Sequence, residues 1–266
     1  MFLKEKLDLV TYQVKKLQKR EKSILQNEGF VPFLKSMAKY STKPFFAYNW
    51  WYLYEEILDT DVIVPAHRVE NLVIKELYIP NMTQFEYEAL DEESYDFEKH
   101  PDVKEYVPKC GEGPQKGIVM LYATANGEFV HRNAATLSTE GTYYGKFREK
   151  LNPPFYSLDE KGTIYRVLCV TNPKYRGKGI YAHLEFELHN FLRKKGYSKL
   201  VYSCDPGMIF DLHIFDTMGC EAKFKLYQLR FMTLFEHIWS EPCKLQPLDE
   251  MGIARKNPRN GYKLPQ

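Results

Sequence analysis

The residues best suited to chemistry in this sequence form a short turn of glycines and cations, Arg176-Gly177-Lys178-Gly179. Glycine lets the backbone approach a ligand without a Cβ in the way, and the first N–H groups of a helix have no internal partners. If such a turn opens a helix, those N–H groups and the positive end of the helix dipole face an anion together. The residue types and their spacing therefore predict a site for a diphosphate-containing cofactor.

Two elements have to position this turn. Residues 163–170 are rich in Ile, Val and Tyr and predict a strand of about eight residues. After the turn, apolar side chains recur at the three-and-four spacing of a helix face, at Ile180, Leu184, Leu188, Phe191 and Leu192. Cations and then Gly196 follow, which predicts the end of that helix.

The turn does not match two familiar phosphate-binding motifs. A P-loop requires Ser or Thr after Gly-Lys, and Gly177-Lys178 is followed by Gly179. A dinucleotide fingerprint requires Gly-x-Gly-x-x-Gly, and position 182 is Ala with His183 after it. Neither nucleotide-binding class is indicated.

The turn instead resembles the acetyl-CoA signature Gln/Arg-x-x-Gly-x-Gly/Ala of the GNAT superfamily of N-acyltransferases, with Arg176 in the first position and Gly179 as the central glycine. The order of the following elements is similar as well, with a strand over 199–204, a helix over 208–218 that closes at Gly219, and a strand over 222–226. The resemblance covers residues 117–235, is strongest over 163–226, and is to the superfamily only.

The resemblance implies a fold, a donor and a reaction. The fold would be α/β (α+β), with a GNAT-like mixed, mostly antiparallel central sheet flanked by helices and an N-terminal helical extension. The donor would be acetyl-CoA or another acyl-CoA, with no metal, and the acyl group would pass directly to an amine while a backbone N–H of the cofactor strand holds the oxyanion. The implied cofactor-binding residues are Leu168, Cys169, Val170, Arg176, Gly177, Lys178, Gly179, Ile180 and Tyr181.

Two positions depart from the superfamily pattern. The last motif position, normally Gly or Ala, is Tyr181, whose ring must either turn away from the diphosphate or narrow the channel. The tyrosine that many members place near the end of the second helix, to protonate the departing thiolate, is Phe215 here. The usual general acid is therefore absent, replaced by another residue, or not needed.

Direct transfer also needs a group that accepts the proton of the attacking ammonium. The candidates are His131, Asp205 and His213, and Tyr202, Tyr227 or solvent could supply the missing acid. Each has a structural alternative, since a lone histidine is commonly structural and Asp205 precedes Pro206-Gly207, where it could cap the next helix. The sequence does not choose among them.

The composition of the chain argues against several classes of protein. The 266 residues carry a formal charge of only +2, which argues against general nucleic-acid binding. Five scattered cysteines without a CxxC pair predict free thiols, with neither a disulfide frame nor a zinc site. Charges at Lys4, Glu5 and Lys6 argue against a signal peptide, and no apolar run has transmembrane length. We expect a cytoplasmic protein.

We expect three parts: an N-terminal helical extension over 1–60, an acyltransferase core over 61–240, and a tail over 241–266. The core should begin with a strand over 69–79, and Asn126-Gly127 should join the strands of a hairpin. The basic face of the extension is either a solvated surface or a site for a partner helix or phosphate-bearing surface.

Two aromatic stretches leave alternatives open. Residues 138–162 either cover the substrate as a lid or form a packed surface loop. The rings over 45–54 either pack the extension against the core or help to hold an acceptor amine with an apolar portion.

The sequence thus predicts an acyltransferase that acts on a small-molecule amine. One alternative is a catalytically degenerate acyl-CoA-binding sensor or scaffold, which Tyr181 and Phe215 would suit. Another is an acyltransferase whose donor is an acyl carrier protein, which would meet the basic N-terminal helix. A homodimer is compatible with either.

Overall fold

A computed structural model describes residues 46–90, 95–112, 116–139, 143–148, 151, 161–231 and 235–255. The helices expected over 1–45 and most of the 138–162 segment lie outside these ranges. By its contacts the chain divides into a larger unit, residues 51–225 and 240–266, and a smaller unit, residues 1–50 and 226–239.

The described chain contains nine strands and five helices. The strands are β1 (Phe46–Ile57), β2 (Leu72–Pro80), β3 (Gly117–Ala125), β4 (Glu128–Thr136), β5 (Thr163–Arg166), β6 (Val170–Thr171), β7 (Lys199–Cys204), β8 (Glu221–Phe231) and β9 (Phe235–Pro242). The helices are α1 (Gln84–Ala89), α2 (Tyr143–Arg148), α3 (Ile180–Lys194), α4 (Ile209–Met218) and α5 (Pro247–Glu250). No helix of these residues is long and apolar enough to cross a membrane.

The strands form one sheet in the order β2-β3-β4-β5-β7-β1-β8-β9, with β6 paired to β4. The pairs β2–β3, β3–β4, β4–β5, β4–β6 and β1–β7 are antiparallel, whereas β5 and β7 are parallel. The mixed, mostly antiparallel sheet expected from the sequence is therefore confirmed.

The hairpin signal is also confirmed. Asn126 (φ +52°) and Gly127 (φ +77°) both adopt left-handed backbone angles between β3 and β4, which is the requirement of a type I′ turn. β2 begins three residues later than expected and pairs with β3 from Leu72 to Pro80.

The expectation of a helical extension through residue 60 is wrong for its last part, because residues 46–57 form β1. Tyr52, Leu53 and Tyr54 are almost fully buried, and residues 52–57 pair with β7. Aromatic and aliphatic side chains that are buried on both faces suit an interior strand better than an exposed helix. The divisions at residues 60 and 240 stay predictions.

The strand expected over 163–170 is interrupted. Ala135 of β4 faces Arg166, but Arg132 faces Val170, so two residues of β4 oppose the three residues 167–169. This mismatch of one residue is a β-bulge, which leaves a backbone group without a ladder partner. It separates β5 from β6, although Val167, Leu168 and Cys169 all have side chains that suit a strand.

The two faces of the sheet near the bulge carry different helices. On one face, Tyr87 of α1 and Phe97 pack against Met120, Tyr122 and other apolar residues of β2, β3 and β4. On the other face, α3 packs against β4, and Asn133 donates to the backbone carbonyl of Leu184 at 3.4 Å. The bulge is thus enclosed between α1 and α3.

In the smaller unit, half-exposed aromatic side chains of different strands stack on one another. The rings of Tyr227 and Trp239 lie 5.1 Å apart at 12°, and those of Trp50 and Tyr227 lie 6.3 Å apart at 26°. The Trp50 ring of β1 thus stacks on a ring of β8, and a role for the rings of 45–54 in holding an acceptor stays a prediction.

Candidate functional site

The bulge lies where two neighbouring strands part. β7 pairs with β5 as far as Tyr165, which faces Val201, whereas β6 after the bulge pairs with β4. Leu168 and Cys169 therefore stand at a gap between β6 and the end of β7. Within the described residues, neither of them donates its backbone N–H to an acceptor.

The glycine turn follows β6 directly. A single turn of 3-10 helix, Pro173–Tyr175, ends at Arg176, and then Gly177 (φ +73°) and Gly179 (φ +80°) adopt left-handed angles before α3 begins at Ile180. In the part of the chain that the structure describes, the N–H groups of residues 177–180 have no hydrogen-bond acceptor. The turn thus presents a row of free donors at the positive end of a 15-residue helix.

The carbonyl groups of the same turn are bound from the other side. The backbone N–H of Arg68 donates to the Lys178 carbonyl at 2.9 Å, and its guanidinium donates to the Gly177 carbonyl at 3.0 Å. With the Gly177 and Lys178 carbonyls bound by residue 68, these two residues present their N–H groups as donors, which is the polarity that an anion needs.

The cations around the turn differ in their availability. Lys174 forms an ion pair with Glu128. Arg176 is exposed and its Nε donates to the Thr171 carbonyl at 3.3 Å, while the Lys178 ammonium lies 5.0 Å from the Tyr175 ring centroid. Arg176 and Lys178 therefore keep charge available beside the free N–H groups.

Arg166, the last residue of β5, is the centre of a buried polar cluster. Its guanidinium forms an ion pair with Glu185 of α3 and donates to the Tyr181 hydroxyl and the Cys169 thiol, each at 2.9 Å. Burial raises the pKa of Glu185 to about 7, although the Arg166 charge opposes that shift. The cluster connects the start of α3 to the bulge.

Tyr181 has turned its ring toward this cluster. Besides the bond with Arg166, its ring centroid lies 5.8 Å from that of His131 and 5.9 Å from that of Phe210. Its hydroxyl also hydrogen-bonds Asp211. Tyr181, which stands where the motif normally has Gly or Ala, therefore lines the gap beside the bulge.

His131 lies at the same gap but is a poor proton acceptor. It is fully buried, its Nδ1 is 2.7 Å from the Thr171 hydroxyl, and its Nε2 has no partner among the described residues. Burial, together with the charges of Arg166 and Arg132, lowers the pKa of His131 to about 3. The ring is neutral at physiological pH, and its role as the base stays a prediction.

Tyr202 and Phe215 pack together. Their ring centroids are 4.5 Å apart, and the Tyr202 ring also stacks on Tyr54 at 5.3 Å. Burial raises the pKa of Tyr202 well above its ordinary value. The Arg166 guanidinium lies 5.6 Å from the Tyr202 ring centroid, so Tyr202 borders the cluster as an aromatic wall with a hydroxyl that is hard to ionise.

The other two candidate bases are placed differently. Asp205 is exposed and accepts from the Gly207 N–H at 2.7 Å in the turn before α4. The expectation that it caps the helix is wrong, because the N-cap of α4 is Met208 and has no side-chain cap. His213 is buried on α4, and its carbonyl accepts from the Thr217 hydroxyl at 2.7 Å.

Sequence reasoning missed Arg166 and Glu185. Arg166 is a charged residue inside a run that otherwise reads as a buried strand, which was one available signal. The other was a polar stripe at Tyr181, Glu185 and His189, each four residues apart on α3. The third member, His189, is buried against Glu56 of β1 and ties that strand to the helix.

No protein-family model matches the chain, and no curated protein matches its sequence. Among solved structures, a GCN5-related N-acetyltransferase from Kribbella flavida is similar at 14% identity and a TM-score of 0.33, over 63% of this chain and 53% of its own. One from Sphaerobacter thermophilus is similar at 14% identity and a TM-score of 0.41, over 80% of this chain and 59% of its own. An aminoglycoside acetyltransferase from an uncultured soil metagenomic sample, solved in complex with trehalose, is similar at 13% identity and a TM-score of 0.30, over 56% of this chain and 87% of its own.

This chain therefore spans between half and three fifths of the first two proteins. The fold rests on the elements described above: the hairpin, the bulged strand, the glycine turn, α3, the parallel neighbour β7, and α4 before β8. Apart from the bulge, these elements follow one another as the sequence predicted, in a mixed and mostly antiparallel sheet.

Proposed function

We propose that this chain is an acyl-CoA-dependent N-acyltransferase, which moves an acetyl or longer acyl group directly to the amine of a small molecule. The observation that carries the proposal is the row of free N–H groups at residues 177–180, next to the gap that the bulge opens between β6 and β7. An acyl-CoA needs these two features side by side, because the N–H groups would bind its diphosphate and the gap would hold the arm that carries its thioester.

In this proposal the N–H groups of residues 177–180 bind the diphosphate of CoA, with Arg176 and Lys178 adding charge. The pantetheine arm follows the gap past Leu168 and Val170, and the N–H of Cys169 donates to the thioester carbonyl. The neutral amine nitrogen attacks that carbonyl carbon and the C–S bond breaks; the nitrogen loses one proton as the amide forms, and the departing thiolate takes up one proton to become the CoA thiol. Alignment of the two reactants supplies much of the rate enhancement.

A second candidate is an acyl-CoA-binding sensor. Phe215 favours it, since its ring is buried between Tyr54 and Tyr202 and has no proton to donate. Release of free thiol from acetyl-CoA in the presence of a panel of amines separates the two functions, because a sensor binds without turnover. Presenting the same acyl group on an acyl carrier protein tests that alternative donor in the same assay.

The binding half of the proposal is tested by charge reversal. The double variant Arg176→Glu/Lys178→Glu places two negative charges beside the N–H groups that bind the diphosphate. At an exposed site each pair of unit charges some 7 Å apart interacts by well under 1 kcal/mol after salt screening. With two reversed charges facing two phosphates, we expect the Kd for CoA in calorimetry to rise by roughly 30-fold, which is about 2 kcal/mol.

The matched control is Lys104→Glu/Lys109→Glu, which changes the net charge equally at two exposed lysines of another segment. Its Kd for CoA should stay within twofold of the wild-type value. If the two double variants bind CoA equally well while folded, the turn is not the diphosphate site.

A further inference from the structure

Arg132 of β4 is a fully buried cation that faces aromatic rings. Its guanidinium carbon lies 4.6 Å from the centroid of Phe97, 5.5 Å from that of Tyr87 and 5.7 Å from that of Phe129. Its Nε donates to the Tyr87 hydroxyl at 3.0 Å, while its other two nitrogens have no hydrogen-bond partner in the described part of the chain. The hydrogen bonding of this cation is therefore directed at one hydroxyl group.

Tyr87 passes that interaction on to the bulge. Its hydroxyl, on the fully buried side chain of α1, donates to the Leu168 carbonyl at 2.9 Å. Burial raises the pKa of Tyr87, so the hydroxyl keeps the proton that it donates. Hydrogen bonds in series polarise one another, most of all when the first donor is charged.

The Leu168 carbonyl and the Cys169 N–H belong to the same peptide group. In a trans peptide these two bonds point in opposite directions, so the Cys169 N–H points away from Tyr87. A strong hydrogen bond to the carbonyl draws electron density from the nitrogen and makes its N–H a better donor. This N–H is one of the two at the bulge that donate to nothing within the described residues.

We propose that Arg132 and Tyr87 are positioning residues that orient and polarise the Leu168–Cys169 peptide, so that the Cys169 N–H stabilises the oxyanion formed during acyl transfer. This inference rests on the proposed function and adds to it a relay on the face of the sheet opposite α3. The relay runs from the guanidinium through one hydroxyl to one peptide group, and neither side chain touches the substrate.

Tyr144 supplies a matched control, because it hydrogen-bonds the peptide group two residues before the Leu168–Cys169 peptide. Tyr144 is also buried, and its hydroxyl donates to the Arg166 carbonyl at 2.9 Å. The N–H of that peptide belongs to Val167 and already donates to the Ala134 carbonyl at 3.0 Å. Tyr144→Phe therefore removes the same kind of hydrogen bond from a peptide that has no donor to offer a substrate.

The test compares Tyr87→Phe, Arg132→Met and Tyr144→Phe in the full chain. Loss of an entire oxyanion donor costs roughly 10²–10³ in kcat; a donor that is weakened but not removed should cost about five- to tenfold. We expect that fall in kcat for Tyr87→Phe and Arg132→Met, with the KM for acetyl-CoA unchanged, measured with the amine that gives the highest wild-type rate. Tyr144→Phe should stay within twofold of wild type.

Infrared spectra of bound acetyl-CoA labelled with ¹³C at the acyl carbonyl give a second readout that needs no turnover. The carbonyl band should lie at higher frequency in Tyr87→Phe and Arg132→Met than in wild type, because a weaker donor polarises the carbonyl less. A merely structural role would not move this band. Arg132→Met should also fold at least as stably as wild type, since methionine leaves no buried donor unpaired.

If both relay variants fold and keep the wild-type kcat and carbonyl band, the relay is refuted while the proposed function stands. If Tyr144→Phe loses as much rate as Tyr87→Phe, the effect is general loss of packing and the relay is again refuted. If wild-type protein does not bind acetyl-CoA in calorimetry, the proposed function itself fails.

Discussion

The glycine turn allows a stability prediction that compares Gly177 with Gly179, because the two differ in the space available to an added side chain. Gly177 and Gly179 have nearly the same left-handed backbone, at φ +73° and +80°. A Cβ at residue 177 would meet no atom within 4 Å, whereas one at residue 179 would lie 3.2 Å from the Ala66 carbonyl oxygen and 3.6 Å from the His67 Cα. Alanine at each position therefore separates backbone strain from steric contact.

The magnitudes follow from these surroundings. A left-handed conformation costs a non-glycine residue roughly 1–2 kcal/mol, and alanine recovers about 0.4–1 kcal/mol of that by restricting the unfolded chain. Gly177→Ala should therefore lower the free energy of unfolding by about 1 kcal/mol. Gly179→Ala carries the same strain and also pushes on Ala66, so its loss should be about 2 kcal/mol, of the order that overpacking costs.

The Ala66 segment cannot move away freely. Arg68 is held by the Gly177 and Lys178 carbonyls, and the Pro65 carbonyl lies 2.8 Å from the Nδ1 of His183. These bonds on both sides of residue 66 resist the shift of a few tenths of an ångström that an added methyl group would require. The added loss at residue 179 depends on that resistance.

Urea unfolding followed by circular dichroism measures both variants against wild type. An unchanged m-value with a lower midpoint would show that stability fell without a change in the surface exposed on unfolding. Equal losses in the two variants would refute the packing of residue 66 against the turn. No loss in either would refute the left-handed geometry of both glycines.

Two further predictions concern buried polar groups. Because the pKa of His131 is lowered to about 3 by burial and by Arg166 and Arg132, the unfolded chain takes up a proton near pH 6.5 that the native state does not. Stability is therefore lost as the pH falls below that value, and between pH 7 and 5 wild type should lose about 2 kcal/mol more than His131→Gln; parallel pH profiles from urea titrations would contradict this. Asn190 accepts from the N–H of Val62 at 2.8 Å and donates to its carbonyl at 2.9 Å. Asn190→Leu should cost roughly 2–4 kcal/mol because two buried backbone groups lose their partners, and thermal unfolding at the wild-type temperature would argue against this pairing.

Local signals in the sequence were sufficient for much of the fold. Asn126-Gly127 determined a hairpin because both residues tolerate left-handed backbone. Apolar spacing and terminal glycines located α3 and α4, with Gly196 at φ +85° and Gly219 at φ +78° after their last turns. The position of the glycine turn between a strand and a helix was likewise a local property.

Tertiary pairing decided what local patterns do not encode. Residues 46–57 became an interior strand because β7 was available as a partner, and only the register between β4 and its two neighbours introduced a bulge into a run of good strand formers. The candidate bases follow from residue type and place along the chain, whereas their surroundings depend on the tertiary structure: buried His131 is neutral beside two arginines, and exposed Asp205 accepts from the Gly207 N–H.

Features that the sequence predicts and features that it does not differ in how far apart the residues that form them lie along the chain. The sequence by itself determined the helix ends, the hairpin and the glycine turn, because each depends on a few consecutive residues and their backbone preferences. Only the tertiary structure decided that Arg166 meets Glu185, Tyr181 and Cys169, and that Arg132 reaches Leu168 through Tyr87. Those contacts join side chains from separate strands and helices, and their strength comes from burial that exists only once the sheet and its helices have closed around them.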